Sequence, residues 1–468
     1  MAPATTAAAA LTTACTTAIS TIHSDLTTDT TLSDCGLGAL QLHRSLTLAL
    51  WTPAPPPAPA LKNAITRATD LLRLCTDKLH TYPYRDVPLC WRRLYTDASV
   101  LKAVAQILLL TSLTPTEQLN DSDSEIVRTL DMALIMAGAP GNNRREIIED
   151  LLEKVDVYVT TTTTEPAAPT SHNDLIAADS PPAPKLDCPI ERHGTPLSLE
   201  GFTKHLLAQN TPLIMAGVVD DWPALTTRPW ASSAYLLSRT HGGKRLVPVE
   251  VGRSYTNRDW AQRIMTFREF MNTHVLPRNT VPAFTGEEDK EEEKETPQTG
   301  YLAQHTLFHQ IPPLRNDILI PDYCYTTPPA PPGVPTPVQL EAPLVNAWFG
   351  PAGTISPLHT DPYSNILCQV LGRKYVRLYA PSETTKLFPR GVEDGGVDMS
   401  NTSSIDIERV EGGSEAESEE EKEKWRVFKE AKYVERVLER GEGLYIPAGW
   451  WHYVRSLDTS FSVSFWWN

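Results

Sequence analysis

The chain has 468 residues, 41% of them hydrophobic and 21% charged, with 40 prolines and a formal net charge of −15. That apolar content is enough for one or two packed cores, so wholesale disorder is excluded, and the length suggests about three domains. An acidic chain without a basic stripe is not a duplex-binding protein, and no direct nucleic-acid contact is expected.

Two short runs hold most of the charge. Glu287–Glu295 and Glu411–Lys424 each carry seven acids against two lysines, which accounts for −10 of the −15. Runs of this kind are expected as solvated, disordered inserts near 286–296 and 411–424. The seven cysteines (Cys15, Cys35, Cys75, Cys90, Cys188, Cys324 and Cys368) form no C-x-x-C pair, and their odd number points to reduced thiols rather than a disulfide framework. The N-terminus lacks the basic and continuously apolar parts of a signal peptide. The apolar run Val104–Leu110 is too short to span a bilayer. A soluble, internal protein without membrane contact is expected.

In chain order, residues 1–157 read as a helical module. Leu61–Leu79 places Leu71, Leu72 and Cys75 on one helical face, and Val100–Leu110, Glu125–Met136 and Arg144–Val155 continue the pattern. The module looks like a scaffold or a surface for a protein partner. Residues 158–187 form a Thr/Ala/Pro linker that cannot bury a core. From 188 to the end, short β-type runs appear at Pro212–Val218, Leu246–Val251, Asn365–Val370, Lys374–Tyr379, Gly443–Ile446 and Ser460–Trp467. A short helix is expected at Thr266–Phe270, and a proline-rich loop covers Pro328–Pro337. Many short strands with Gly/Pro turns suggest a sandwich or barrel. The fold class is therefore α+β and multidomain.

The pattern His-x-Asp occurs at His23–Asp25, His172–Asp174 and His359–Asp361. The first lies in a Thr-rich helical segment and the second in the linker, and neither is read as a site. His359 follows a strand and a turn, and His452 comes 93 residues later, after the tight turn Pro447-Ala-Gly449. If His359 and Asp361 share a strand face at i and i+2, two histidines and a carboxylate could hold one ion and leave three positions open. That is the facial triad of non-heme Fe(II) oxygenases. Structural zinc would want a fourth protein ligand, usually a thiolate, and nearby Cys368 reads as a small buried hydrophobe.

The run Trp348-Phe-Gly-Pro, His359-Thr-Asp361-Pro, Asn365, Gly372-Arg-Lys374-Tyr-Val-Arg-Leu-Tyr and His452-Tyr-Val-Arg-Ser-Leu, with the ending Phe-Ser-Val-Ser-Phe-Trp-Trp, resembles a Jumonji-C (JmjC) oxygenase. Within that family it is most similar to the Jumonji domain-containing protein 5 (lysine demethylase 8) group, over roughly residues 190–468. The resemblance implies a double-stranded β-helix of the jelly-roll, cupin-like kind with flanking helices, working with Fe(II), 2-oxoglutarate and O2. It implies His359, Asp361 and His452 as iron ligands and Lys374 as the partner of the distal 2-oxoglutarate carboxylate. Tyr301, Ser356 and Asn365 would add neutral hydrogen bonds. Glu250, Tyr255 and Trp348 match positions that receive a cationic substrate side chain, which suits a carboxylate with aromatic faces. By residue type alone, Lys374 would be an exposed strand lysine, Tyr301 a buried strand residue, Glu250 a solvated strand residue and Trp348 core. Thr360 and Tyr363 stand where glutamines are expected, and neither is a ligand position.

The expected activity is hydroxylation of a protein side chain with release of succinate and CO2, and Glu250 favours C3 of an arginine. The alternative is demethylation of N-methyl-lysine by the same chemistry. An alternative of another class is an inactive cupin-like binding module, which the presence of all three ligands and Lys374 disfavours. Proteolysis has no nucleophile constellation behind it. The resemblance points to a histone, chromatin-associated or ribosomal substrate, and to the nucleus with the cytoplasm as second compartment.

Overall fold

The computed structural model describes residues 2–83, 86–112, 122–162, 174–176, 181–254, 256, 260–276, 299–330, 337–393, 396–412 and 414–468. The chain divides into two compact units, Met1–Ala168 with Lys244–Leu246, and Pro169–Gly243 with Val247–Asn468. The acidic run 287–295, residues 163–173 and 177–180 of the linker, and residues 331–336 of the proline-rich loop lie outside the described residues.

The first unit is built on helices α1 (Ala2–Thr28), α2 (Leu37–Leu50), α3 (Ala58–Leu79), α4 (Leu89–Ser112), α5 (Ser122–Met132) and α6 (Arg144–Thr162). In α3, Leu61, Ala64, Ala68, Leu71, Cys75 and Leu79 are buried, the three-to-four spacing of an amphipathic helix. Helix α4 is longer than the runs Val100–Leu110 and Val104–Leu110 suggested. Its length and composition would suffice to cross a membrane, but 78% of its most apolar window is buried inside the protein. It is the central helix of a bundle core that also takes Leu11, Ile22, Ile126, Ile148 and Leu151.

The bundle also buries charge. Arg93 donates to Asp25 (2.7 Å), Asp29 (2.7 Å) and Asp97 (3.1 Å), while Arg144 donates to Asp97 (2.6 Å) and Asp25 (2.7 Å). His43 Nε2 lies 3.5 Å from Asp97. Burial alone would raise the Asp97 pKa, but His43, Arg144 and Arg93 outweigh it and hold the carboxyl well below its usual range.

The second unit carries strands β1 (Arg192–His193), β2 (Leu213–Ala216), β3 (Leu246–Val251), β4 (Ala261–Thr266), β5 (Gly300–His305), β6 (Leu344–Gly350) and β7 (Ile355–Thr360). They are followed by β8 (Ser364–Leu371), β9 (Lys374–Tyr379), β10 (Tyr433–Leu438), β11 (Glu442–Ile446), β12 (Trp451–Ser456) and β13 (Ser460–Trp467). The large sheet runs β1-β2-β11-β8-β13-β6-β5-β3-β4 and the small one β10-β9-β12-β7. From β6 to β9, and again from β10 to β13, successive strands alternate between the sheets. All pairs among these eight are antiparallel, which makes the barrel a double-stranded β-helix.

Strand alternation separates inside from outside. Val376 and Leu378 of β9 meet Leu367, Leu444, Ile446 and Val454 between the sheets. Tyr375 and Tyr379 point the other way, against Trp425 and Phe428. Each fully buried aliphatic side chain in such a core contributes about 1.5–3 kcal/mol.

The run Glu411–Lys424 departs from the disorder expected of it. A helix covers Glu419–Phe428, with the Ser418 side chain accepting from Glu421 N and Glu419, Glu420 and Glu421 in the first turn. Carboxylates suit that end of a helix dipole. Arg409 binds Glu417 and Glu421, and Trp425 and Phe428 bury the inner face. Composition registered the charge but missed the two aromatic anchors just beyond it.

Candidate active site

His359, Asp361 and His452 converge between the sheets, with candidate ligand atoms all within 4.8 Å of one another. His359 sits on β7 and His452 directly opposite on β12. Their rings lie 4.2 Å apart between centroids. Asp361 Oδ1 is 3.8 Å from His359 Nε2, and Oδ2 is 3.5 Å from His452 Nε2.

His359 and Asp361 do not share a strand face as the i, i+2 spacing suggested. β7 ends at Thr360, so Asp361 lies just past the strand rather than two residues along its face. A backbone bond holds it there: Gly449 N donates to Asp361 O at 2.9 Å. Gly449 adopts φ +78°, a left-handed conformation that favours glycine. The turn before His452 thus also secures the loop that carries Asp361.

A second irregularity places Ser356. The β7–β12 register shifts between His452 and Val454, leaving one extra residue on β7 between Ser356 and His359. Such a bulge resets the alternation of faces, so Ser356 and His359 both reach the interior although they are three apart.

Both imidazoles have their Nδ1 against a backbone carbonyl, His359 to Pro357 O (2.7 Å) and His452 to Trp450 O (3.1 Å). With the proton on Nδ1, each Nε2 keeps a lone pair for a metal. Burial, then the neighbouring His452, pushes His359 down to about 4. Burial would raise the Asp361 pKa, but the His452 hydrogen bond and both imidazoles hold it below its usual value. A carboxylate and two neutral imidazoles are a suitable donor set for a divalent metal of the Fe(II) or Zn(II) type, and the open geometry favours iron.

Lys374 is 1% exposed, and burial pushes it down to about 7. Among the described residues its one hydrogen bond is to Tyr301 Oη (3.0 Å), and no carboxylate pairs with it. A buried cation in this state fits an anionic ligand. Asn365 adds a buried side-chain oxygen without a partner, and its amide can present either donor or acceptor by a flip. Tyr301, Ser356, Asn365 and Lys374 line one pocket with the three candidate metal ligands. The residues present therefore fit both a metal and a small dicarboxylate.

The residues expected to contact substrate divide. Trp348 lines the same pocket, and its indole N–H donates to Ser464 Oγ at 2.9 Å. Glu250 lies opposite Tyr301 in the β3–β5 pairing, so both side chains share one face. Burial pushes Glu250 up to about 7, opposed by the indole of Trp260. Tyr255 lies outside the described residues. Sequence reasoning missed Trp260, ten residues beyond Glu250 with nothing in its own surroundings to mark it.

The other two His-x-Asp patterns lead elsewhere. His23 stacks on Trp51 at 4.7 Å, and Asp25 belongs to the bundle's ion cluster. Asp174 accepts from Ser233 N at 2.8 Å, and His172 lies outside the described residues. Cys368 is fully buried in the outer hydrophobic layer, facing away from the triad.

A double-stranded β-helix with two histidines and a carboxylate converging inside it is the architecture of a cupin-type metal site. The cupin-like domain family matches residues 199–468. Lysine-specific demethylase 8 of Danio rerio is 36% identical over 86% of this chain and 87% of its own length. Jumonji C domain-containing protein 5 of Drosophila melanogaster is 33% identical over 84% of each chain. Lysine-specific demethylase JMJ30 of Arabidopsis thaliana is 33% identical over 84% of this chain and 83% of its own. The chain belongs to the JmjC oxygenases of the cupin-like family and is a 2-oxoglutarate- and Fe(II)-dependent dioxygenase.

Proposed function

We propose that this oxygenase demethylates an N-methylated lysine of a protein substrate, with His359, Asp361 and His452 holding Fe(II) and Lys374 anchoring 2-oxoglutarate. The observation that carries the cosubstrate role is the fully buried Lys374 ammonium, which has a tyrosine hydroxyl for company and no counter-ion among the described residues. Iron and 2-oxoglutarate, when bound, supply oxidation of a substrate C–H bond by dioxygen, with succinate and CO2 as co-products.

The chain's own residues supply position and environment. The carbonyls of Pro357 and Trp450 set the tautomers of His359 and His452. Tyr301 positions the Lys374 ammonium, and Ser356 and Asn365 complete the polar wall around the cosubstrate. Leu367, Ile446 and Val454 keep the pocket floor apolar and limit water there. Trp348 stands at the pocket as an aromatic face for a cationic side chain.

The lysine reading rests on the names of the relatives, two of which are lysine-specific demethylases. Those names give no support to arginine, the target that Glu250 favoured from the sequence. Hydroxylation of an N-methyl group gives a hemiaminal that releases formaldehyde and leaves lysine. A histone-type substrate and nuclear residence go with this reading. Arginine C3 hydroxylation stays as a second reading because a half-buried carboxylate, Glu250, lies beside Tyr301, and a carboxylate suits a guanidinium.

Mass spectrometry of matched peptide pools, incubated with the protein, Fe(II), 2-oxoglutarate and oxygen, separates the readings. Loss of methyl groups with formaldehyde release supports demethylation. Added oxygen on arginine with methyl groups untouched would replace it with the second reading. Absence of succinate under all conditions would overturn both.

A further inference from the structure

One buried amide braces the barrel end next to Lys374. On β8, Asn365 and Leu367 face the pocket, and Gln369 lies two residues further on the same face, fully buried. Its Nε2 lies within hydrogen-bond distance of three acceptors that share its two protons, Leu371 O (2.6 Å), Gly372 O (3.1 Å) and Ser460 Oγ (2.9 Å). Its Oε1 accepts from Ser462 Oγ at 2.7 Å. One side chain thus joins the β8–β9 turn to β13.

The backbone at this point needs such a brace. The β8–β13 register shifts between Phe461 and Ser462, so the regular ladder is interrupted where β8 approaches its turn. Turn carbonyls that lose ladder partners need donors from a side chain. Gly372 takes φ +67°, and a Cβ there would lie 2.1 Å from Thr459 O, so the turn has little room to rearrange. Arg373 grips Asp458 through two hydrogen bonds (2.7 and 3.2 Å), and the next residue is Lys374, the first of β9.

We propose that Gln369 is a positioning residue for 2-oxoglutarate: its amide fixes the β8–β9 turn and thereby aims the Lys374 ammonium at the distal carboxylate of the cosubstrate. This rests on the role given to Lys374 under the proposed function. Gln369 touches neither metal nor cosubstrate and acts through the turn alone.

The test is calorimetric titration of the full chain, loaded with Fe(II) under anaerobic conditions, with two keto acids. 2-Oxoglutarate carries the distal carboxylate and 2-oxobutanoate lacks it. Gln369→Met keeps side-chain volume and removes the hydrogen bonds. It is expected to weaken 2-oxoglutarate about ten-fold while changing 2-oxobutanoate by less than about two-fold, as for one misaligned charge-assisted contact. Equal weakening of both ligands would show a general structural role, and no weakening would show no role; either result overturns the proposal.

Lys374→Ala is the reference. If it fails to distinguish the two ligands, the anchor reading itself falls, whereas discrimination by Lys374→Ala without any by Gln369→Met sinks the positioning role alone. Should Gln369→Met melt early, Ser462→Ala decides, since it removes only the hydroxyl that donates to Gln369. It must shift 2-oxoglutarate affinity selectively, in the same direction and by a smaller factor, and an unselective shift or none would overturn the proposal.

Discussion

His23–Asp25 in the bundle and His359–Asp361 in the barrel share a tripeptide pattern and end in opposite states. Asp25 is fully engaged, accepting from Arg93 and Arg144, and its neighbour Asp97 is held by the same two guanidiniums. Asp361 faces two imidazoles and no permanent cation among the described residues, and Lys374 in the same pocket has no carboxylate. Burying charge is costly in both places. In the bundle the cost is offset inside the protein, and the result is architecture. In the barrel it is not offset among the described residues, which is the state that the proposed binding of a metal and a dicarboxylate requires. Incomplete pairing of buried charge, rather than the motif, distinguishes the two.

Removing single side chains from the two places should expose that difference. His359→Ala and Asp361→Ala are expected to bring succinate formation to background while moving the thermal transition by no more than a degree or two, about the shift of 0.5 kcal/mol in a large chain. Near-normal turnover with iron in either variant would remove these residues from the metal site. Asp97→Ala should behave oppositely. Loss of a carboxylate shared by two buried guanidiniums is expected to destabilise the helical unit by about 3–5 kcal/mol, read as an earlier first transition in denaturant. A change below about 1 kcal/mol would mean that the cluster relaxes or admits water.

Lys374→Ala comes next in size. The affinity for 2-oxoglutarate should fall about ten-fold or more, as for loss of a hydrogen bond to a charged group worth ~1.5–3 kcal/mol. An unchanged constant would assign the anchor elsewhere.

A smaller effect follows from protonation. Burial pushes Lys374 down to about 7, so above that pH the free protein holds it increasingly neutral. A bound dicarboxylate favours the ammonium, so the complex carries more protons than the free protein. Raising the pH above 7 must therefore weaken binding, by at most about ten-fold per unit. Below 7 the lysine is already charged and this dependence fades. Calorimetry at pH 8 in buffers of different ionisation enthalpy should detect proton uptake; proton release would contradict the assignment.

Much of this was legible in the sequence for physical reasons. The helical spacing of apolar residues in Leu61–Leu79 marked α3, where Leu71 and Cys75 are buried and Leu72 only partly so, and β3, β9 and β13 fall where short β-type runs stand between turn residues. The convergence of His359, Asp361 and His452 was readable because their context of strands and turns set them apart from the two other His-x-Asp patterns. The bulge that turns Ser356 inward was not readable, since it depends on pairing with β12 rather than on local residues. The Glu250–Trp260 neighbourhood and the bundle's ion cluster were also hidden, because long-range packing brings those residues together. The helix within the acidic run was missed because charge count was weighed without Trp425 and Phe428.

On the proposed function, the barrel groups left unpaired among the described residues, Lys374 and Asn365, bind 2-oxoglutarate beside an Fe(II) held by His359, Asp361 and His452. The most direct test is an anaerobic titration of the protein with both, followed by the visible charge-transfer absorption of a keto acid chelated to iron. A band that saturates at one 2-oxoglutarate per chain and is lost in His359→Ala is expected. No band, or an undiminished one in that variant, would contradict the proposed function.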